Sequence, residues 1–283
     1  MTCTAEGKQQ FGLLGEVAGL SLGTVLGAWA GLRRGKAVHP DGVVFDARLV
    51  ISGDSAAPSA ARLLADASEH RAIVRFSRSL GVPRPVPDLL GMSIRVLDAY
   101  GNGQHQDLLI VTSADYPILH HFFLPASDVQ QRPYSSSLPY QAGNDTFLVG
   151  AMPDSRSPRP EGGNEFDRLD AAASTGRLVF RLCVAPIRGP FRPVGELHIG
   201  GRLSPDLDAL RFNPWNTGGG MQPVGWLNEA RDRAYKLSQL AWAVTRKGAA
   251  GRQRNADREL HALTSVDPGV LSARDRSSEP SVH

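Results

Sequence analysis

Hydrophobic and polar positions alternate along much of the middle of the chain with the period of two that is typical of half-buried β-strands. The clearest case is the stretch from Val43 to Ile51, where every second residue is apolar. A turn of Gly and Asn, "YGNGQ", separates two such runs and is typical of a hairpin. Further strands are predicted at "RAIVRFSRSLG", "LLGMSIRVLDA", "DLLIVTS", "GRLVFRLCVAPI" and "VGELHIGGRL", and "TFLVGAMP" is a separate apolar run.

Helical patterns are few and lie mainly before and after these runs. "SAARLLADASE" predicts a short helix, and a longer helix is predicted from about residue 228 to Arg246. The stretch from Ser127 to Asp170 is rich in Ser, Pro, Asn and Gly, which predicts extended, wrapping structure. Strands joined by hairpins and flanked by helices predict an α+β fold built around an antiparallel sheet or barrel.

Three regions follow from this pattern: an N-terminal part, 1–32, a main domain, 33–247, and a tail, 248–283. The N-terminal part is a polar lead and an apolar, Gly-rich helix. Glu16 interrupts that helix, and the run from Val17 to Leu32 is shorter than a typical membrane span. We expect it to pack on the domain or on a second copy rather than on a membrane. The tail is polar and is expected to be mobile.

Charge and cysteine usage exclude some functions. The net charge is +3, and no block of Lys and Arg stands out, so a nucleic-acid partner is not indicated. Cys3 and Cys183 lie in dissimilar contexts, which argues against a disulfide and favours a reducing, cytoplasmic location. His120 and His121 are adjacent, so they make a poor metal pair. Gly218, Gly219 and Gly220 form no phosphate-binding motif, and we expect them to be a flexible loop.

One helical pair is chemically distinctive. Arg231 and Tyr235 are four residues apart, so on a helix they lie one turn apart on the same face. They end a series of segments whose order resembles that of the haem catalases: "KAVHPDGVVFDA", "IVRFSRSLG", "LLGMSIRV", "QDLLIVT" and "FNPWNTGGGMQPVGWLNEARDRAYKLSQ". The resemblance covers about residues 33–245 and is thin between 125 and 195.

The resemblance implies a catalase-like antiparallel β-barrel with flanking helices, in a minimal version without the extra C-terminal domain. Allene oxide synthases share that fold. It also implies haem b as cofactor, with Tyr235 as the phenolate ligand of the iron. Arg231 would help to keep this phenol ionised, because a guanidinium does not lose its proton. Arg75 and Lys36 match positions that contact the haem propionates.

On the opposite haem face the resemblance assigns His39 as the distal acid–base group, a role suited to imidazole. Ser77 matches the hydroxyl that orients this histidine. Thr112 stands at the place aligned with an asparagine of catalases, which leaves fewer donors there. The position before His39 is Val38, as in catalases, whereas allene oxide synthases carry Thr.

The implied function is that of a haem oxidoreductase, either a peroxidase or a weak catalase, acting on hydrogen peroxide or an organic hydroperoxide. Two alternatives stay open because of Thr112 and its apolar neighbours. One is a haem-dependent rearrangement or biosynthetic enzyme on the same fold, and the other is a non-catalytic haem-binding or sensing protein.

Overall fold

A computed structural model describes residues 41–54, 56–117, 119–224 and 249–265. The strands are β1 (Asp41–Ile51), β2 (Ser68–Arg78), β3 (Leu90–Val96), β4 (Gln106–Thr112), β5 (Tyr134–Ser135), β6 (Tyr140–Ala142), β7 (Asp145–Pro153), β8 (Val179–Pro186), β9 (Arg192–Arg202) and β10 (Met221–Pro223). The α-helices are α1 (Arg62–Ala65), α2 (Glu165–Ala173) and α3 (Ala249–Ser265). Two 3₁₀ helices span Leu119–His121 and Pro205–Ala209.

Eight of the strands close into an antiparallel barrel. The order around it is β7-β5-β4-β3-β2-β1-β9-β8, and β8 pairs with β7 to complete the circle. β6 and β10 extend the sheet beside β7. Strands that follow one another in the chain pair antiparallel at β2–β3, β3–β4 and β8–β9, and β1 pairs with β2 through a connection that contains α1. The predicted α+β fold around an antiparallel barrel is therefore confirmed.

The two faces of the barrel wall carry different residues. Residues directly opposite each other in antiparallel strands place their side chains on the same face. The inner face holds the main core, to which β2 contributes Val74 and Phe76 and β3 contributes Met92 and Ile94. The intervening residues of the same strands, Ile73 among them, point to the outer face. This division decides which side chains can share a site.

The region from 127 to 170 is more regular than its sequence predicts. It contains β5, β6 and β7 and the start of α2. Asn164 caps α2 by accepting hydrogen bonds from the N–H groups of Phe166 and Asp167, and the Asp167 carboxylate accepts the N–H of Asn164 in return. This reciprocal cap was readable in the sequence "NEFD", because Asn followed three residues later by an acidic residue is a helix-start signal.

Part of the tail that was predicted to be mobile is helical in the structure. Residues Ala249–Ser265 form α3, and Ala256 on this helix is fully buried. Ala256 packs with Val44 and Ile73 of the outer barrel face and with Leu207 and Leu210 beside the second 3₁₀ helix. Within 254–262, the part of α3 whose side chains are described, Ala256 is the one buried residue and Leu260 lies half-buried beside it, so the sequence alone gave little signal for this helix.

Candidate functional site

Arg75 and Ser77 lie on the outer face of β2, close to the end of the barrel where β1 begins. Ser77 pairs with Gly42 of β1 on one side and with Gly91 of β3 on the other. Both sequence-predicted residues are buried, with exposures of 8% for Arg75 and 1% for Ser77. Two glycines flanking a serine leave this part of the wall without bulky side chains.

The guanidinium of Arg75 lies across Gly42. A Cβ atom added to Gly42 would come within 2.6 Å of Arg75 Nη2 and 2.7 Å of the Phe76 carbonyl oxygen, so glycine is required here. Burial lowers the pKa of Arg75, and the nearby carboxylates of Asp208 and Asp41 act in the opposite direction. Arg75 remains a cation, because an arginine guanidinium does not lose its proton in proteins.

Thr112 lies on the other face of the wall. It follows Leu108 and Ile110, which point into the barrel core, and its side chain is fully buried. Its hydroxyl donates to the Leu124 carbonyl at 2.7 Å and accepts the Leu90 N–H at 3.1 Å. The structure therefore does not bring Thr112 together with Ser77, and its predicted place in a distal pocket is corrected. Strand alternation is the cause, since neighbouring residues point to opposite faces.

The residue of β4 in the same row as Ser77 is Val111. Gly91 pairs with both Ser77 and Val111, so the three form one row across β2, β3 and β4. The next row along the strands joins Arg75, Ser93 and Leu109. Sequence reasoning missed Val111 because the alignment of a short segment does not fix which of two neighbours faces the site. Apart from Ser77, this row presents only glycine and an apolar side chain.

Four of the predicted site residues, Lys36, His39, Arg231 and Tyr235, lie outside the described residues. Their assigned roles remain predictions. Asp41, the first residue of β1, follows His39 by two positions.

A network of charges, buried at Arg78, Asp88 and Glu165 and exposed at Arg84 and Asp41, fixes the barrel end at which β1 begins. Arg78 bonds the Glu165 carboxylate at 3.0 Å and lies 3.4 Å from Asp88. Arg84 bridges the same Glu165, at 3.0 Å, to Asp41, at 2.8 Å. Burial raises the pKa of Glu165, but the hydrogen bonds from Arg84 and Arg78 prevail and the net shift is downward. The first residue of β1 is thereby anchored to β2 and α2.

A second buried ion pair anchors the loop that precedes β10. Arg95 on β3 and Asp107 on β4 form a bidentate pair with two contacts of 2.7 Å. Arg95 also donates to the Arg211 carbonyl, and Asp107 accepts the N–H of Asn213. The ring of Phe212 lies 5.2 Å from the Arg95 guanidinium. The start of the "FNPWN" loop is therefore held on the outer face of the wall.

The three consecutive glycines are tightly packed rather than a flexible loop, which corrects the prediction. Side chains at Gly218 or Gly219 would overlap the ring of Tyr100, and one at Gly220 would overlap the Ala60 carbonyl. The Tyr100 hydroxyl donates to Gln106, and burial raises the pKa of Tyr100 to about 12. This fixed loop leads directly to β10 and to the segment that carries Arg231 and Tyr235.

His120 and His121 have structural contacts. The Nε2 atoms of both rings approach the Ile187 carbonyl oxygen, at 3.3 and 3.1 Å, and Nδ1 of His121 lies 2.9 Å from the Ser137 carbonyl oxygen. Burial lowers the pKa of His120. Within 41–54, 56–117, 119–224 and 249–265, no group of three His, Cys, Asp or Glu side chains is placed to hold a metal ion.

Comparison with solved structures identifies the architecture. A bacterial catalase superposes with a TM-score of 0.51 and 13% identity, covering 84% of this chain and 63% of the catalase. A fungal catalase gives 0.50 and 12%, covering 79% and 62%. The chain has a catalase-like fold. It spans less than two thirds of either catalase, and at this identity the similarity concerns the fold alone. No family model matches the sequence, and no curated protein does.

None of the helices within the described ranges is both long and apolar enough to cross a membrane.

Proposed function

We propose that this chain is a b-type haem protein that acts on hydrogen peroxide or an organic hydroperoxide. The observation that carries the proposal is that a buried arginine, Arg75, and a buried serine, Ser77, lie on the same face of a catalase-like barrel. Both residues come from the segment "VRFS" that resembles the catalase sequence. Both side chains point away from the inner core, to which the same strand contributes Val74 and Phe76.

The chemistry of this face suits a flat, dianionic ring. Gly42 and Gly91 keep the wall beside Ser77 free of bulky side chains, and the Arg75 guanidinium, which lies over Gly42, offers a buried cation for a carboxylate. A haem iron takes four ligands from its porphyrin, so it requires one protein ligand rather than a cluster of several. Bound haem would supply the iron that cleaves the peroxide O–O bond.

The chain's own residues would bind the ring and move protons. Arg75 would pair with a propionate, and Lys36 with a propionate by a single-point contact. Tyr235 would hold the iron as a phenolate, with Arg231 favouring its ionised form. His39 would take a proton from one peroxide oxygen and return it to the other.

A second candidate, a haem protein without peroxide turnover, is favoured by Val111. The row through Ser77 has only this apolar side chain from β4, so a peroxide would find one hydroxyl and His39 as polar partners. Val111→Asn adds an amide on the face that carries Ser77. If the chain turns over peroxide, we expect this variant to increase oxygen evolution from hydrogen peroxide.

Haem titration tests the proposal. Purified protein is titrated with hemin, and the Soret band is followed for the wild type, Tyr235→Phe and the control Tyr116→Phe, which removes an exposed hydroxyl elsewhere. We expect Tyr235→Phe to lose the wild-type ferric spectrum and the control to keep it. An unchanged spectrum in Tyr235→Phe would contradict the ligand assignment.

Gly42→Ala tests the face itself. The added methyl group would displace the Arg75 guanidinium, so we expect weaker hemin binding. Gly201→Ala is the matched control on β9, because its Cβ would point into open space. Equal hemin affinity in both variants, with both folded, would place haem elsewhere. Oxygen evolution and cumene hydroperoxide reduction then separate an enzyme from a non-catalytic haem protein.

A further inference from the structure

The second half of β4 turns only apolar side chains away from the barrel core. Leu109 and Val111 alternate with two residues of the inner core, so they lie on the outer side of the wall. Both are half-buried, and Leu109 packs against the outer-face cluster beside α3. Asp107 precedes them on this side of β4, and its carboxylate is bound to Arg95. Leu109 and Val111 therefore form an apolar strip, which we call the β4 strip.

The β4 strip is separated from Ser77 by one strand. Gly91 of β3 pairs with Ser77 on one side and with Val111 on the other. Neighbouring strands lie about 4.8 Å apart, so the backbones of Ser77 and Val111 are about 10 Å apart. Gly91 has no side chain between them. The row thus has a hydroxyl on one side, an apolar group on the other and bare backbone between the two.

Two hydroxyl groups that adjoin Val111 are engaged within the protein. Thr112, the next residue in the chain, is bonded inside the wall through the Leu124 carbonyl and an N–H of β3. Ser135, which pairs with Val111 from β5, is buried, and its hydroxyl accepts the N–H of Ser137 at 3.1 Å. Ser77 is therefore the residue of the β2–β4 part of this row that offers a side-chain polar atom to a ligand.

We infer that the substrate of the candidate site is an organic hydroperoxide with a compact apolar group, and that Val111 selects it over hydrogen peroxide. This inference rests on the proposed function. The hydroperoxide end would hydrogen-bond to the Ser77 hydroxyl, and the apolar end would pack on the β4 strip. Hydrogen peroxide has only two heavy atoms, so it cannot contact both Ser77 and Val111. It would leave the β4 strip in contact with water, which removes the gain from burying apolar surface.

The reaction is a two-electron reduction with a phenol as the donor. The O–O bond of the hydroperoxide ROOH breaks, and its oxygens leave as the alcohol ROH and as water. Two phenol molecules supply the two electrons and two protons, each becoming a phenoxyl radical. The group R is unchanged in this reaction, so a contact between R and Val111 stabilises the bound substrate and the transition state alike. Val111 is therefore expected to affect KM more than kcat.

Steady-state kinetics of the full chain loaded with hemin test the inference, with guaiacol as the phenol. We expect the wild type to have a higher kcat/KM for cumene hydroperoxide than for hydrogen peroxide. Val111→Ser replaces two methyl groups by one hydroxyl and is expected to lower this preference about tenfold, mainly by raising KM for cumene hydroperoxide. Val86→Ser is the matched control, because it makes the same change at a position that is 53% exposed and outside the site.

A binding measurement tests the same contact without turnover. The ferric, hemin-loaded protein is titrated with imidazole and with 4-phenylimidazole, and the Soret band is followed. We expect the wild type and Val86→Ser to bind 4-phenylimidazole more tightly than imidazole, and Val111→Ser to lose about tenfold of this difference. Melting curves check that each variant is folded before its affinities are compared.

The outcomes separate this inference from the proposed function. If the wild type reduces hydrogen peroxide at least as efficiently as cumene hydroperoxide, or if Val111→Ser keeps both ratios of the wild type, the inference is overturned. The proposed function then still stands, because hemin is bound and peroxide is reduced. A chain that binds no hemin, or that reduces neither peroxide, overturns both.

Discussion

Replacing Thr112 by valine tests whether this residue belongs to the barrel interior. The two side chains have the same shape, so the change removes only the hydroxyl. The Leu90 N–H then loses a buried partner, and the Leu124 carbonyl loses one in a half-buried position. An unsatisfied buried group costs about 1–3 kcal/mol, and the valine recovers part of this by burying a methyl group in place of a hydroxyl. We expect the free energy of unfolding to fall by about 2 kcal/mol.

Thermal melting measures this loss, because about 2 kcal/mol corresponds to roughly 4–8 °C in a domain of this size. The matched control is Thr146→Val on β7, where the side chain is exposed and the expected change is within about 0.5 kcal/mol. Hemin binding should be unaffected at temperatures where Thr112→Val is folded. The reasoning is refuted if Thr112→Val melts like the control and instead alters the haem spectrum, because the hydroxyl would then face the ligand.

Further predictions concern stability. Asp107→Asn leaves the Arg95 guanidinium without its bidentate carboxylate in a buried site, so urea denaturation should show a loss of about 3–5 kcal/mol, and a loss below about 1 kcal/mol would contradict the pairing. Hydrogen bonds from Arg156 hold the pKa of Asp154 at about 2, below its ordinary 3.8. Since the folded pKa is the lower one, Asp154 stabilises the fold fully above about pH 4 and loses this effect as the pH falls towards 2. The melting-temperature difference between wild type and Asp154→Asn should therefore shrink over that interval, and a constant difference would argue against the assignment. Ala256→Glu places a charge in a fully buried position of α3 and should lower the melting temperature, which a freely mobile tail would not show.

Most of the long strands, and their assembly into an antiparallel sheet or barrel, could be predicted from the sequence. Apolar residues at every second position of "VVFDARLVI" mark β1 as a strand, and glycine and asparagine between β3 and β4 mark a hairpin, because both signals are local. The capped start of α2 was also present in the sequence but was obscured by the surrounding Ser, Pro and Gly. The sequence of α3 shows almost no apolar periodicity. Its contact with the barrel depends on Ala256 packing with residues that are far away in the chain.

The candidate site, too, could be predicted only in part from the sequence. The segment "VRFS" by itself places Arg75 and Ser77 two residues apart, and hence on one face of any strand. Which residue of "LLIVT" joins them depended on the register of β4 against β3, and a shift of one residue exchanges the two faces. Only the tertiary structure decided that Val111 lies beside Ser77 and that Thr112 belongs to the core. A strand's own sequence sets the alternation of its side chains, whereas its hydrogen-bonded neighbours set which side of the barrel wall each one occupies.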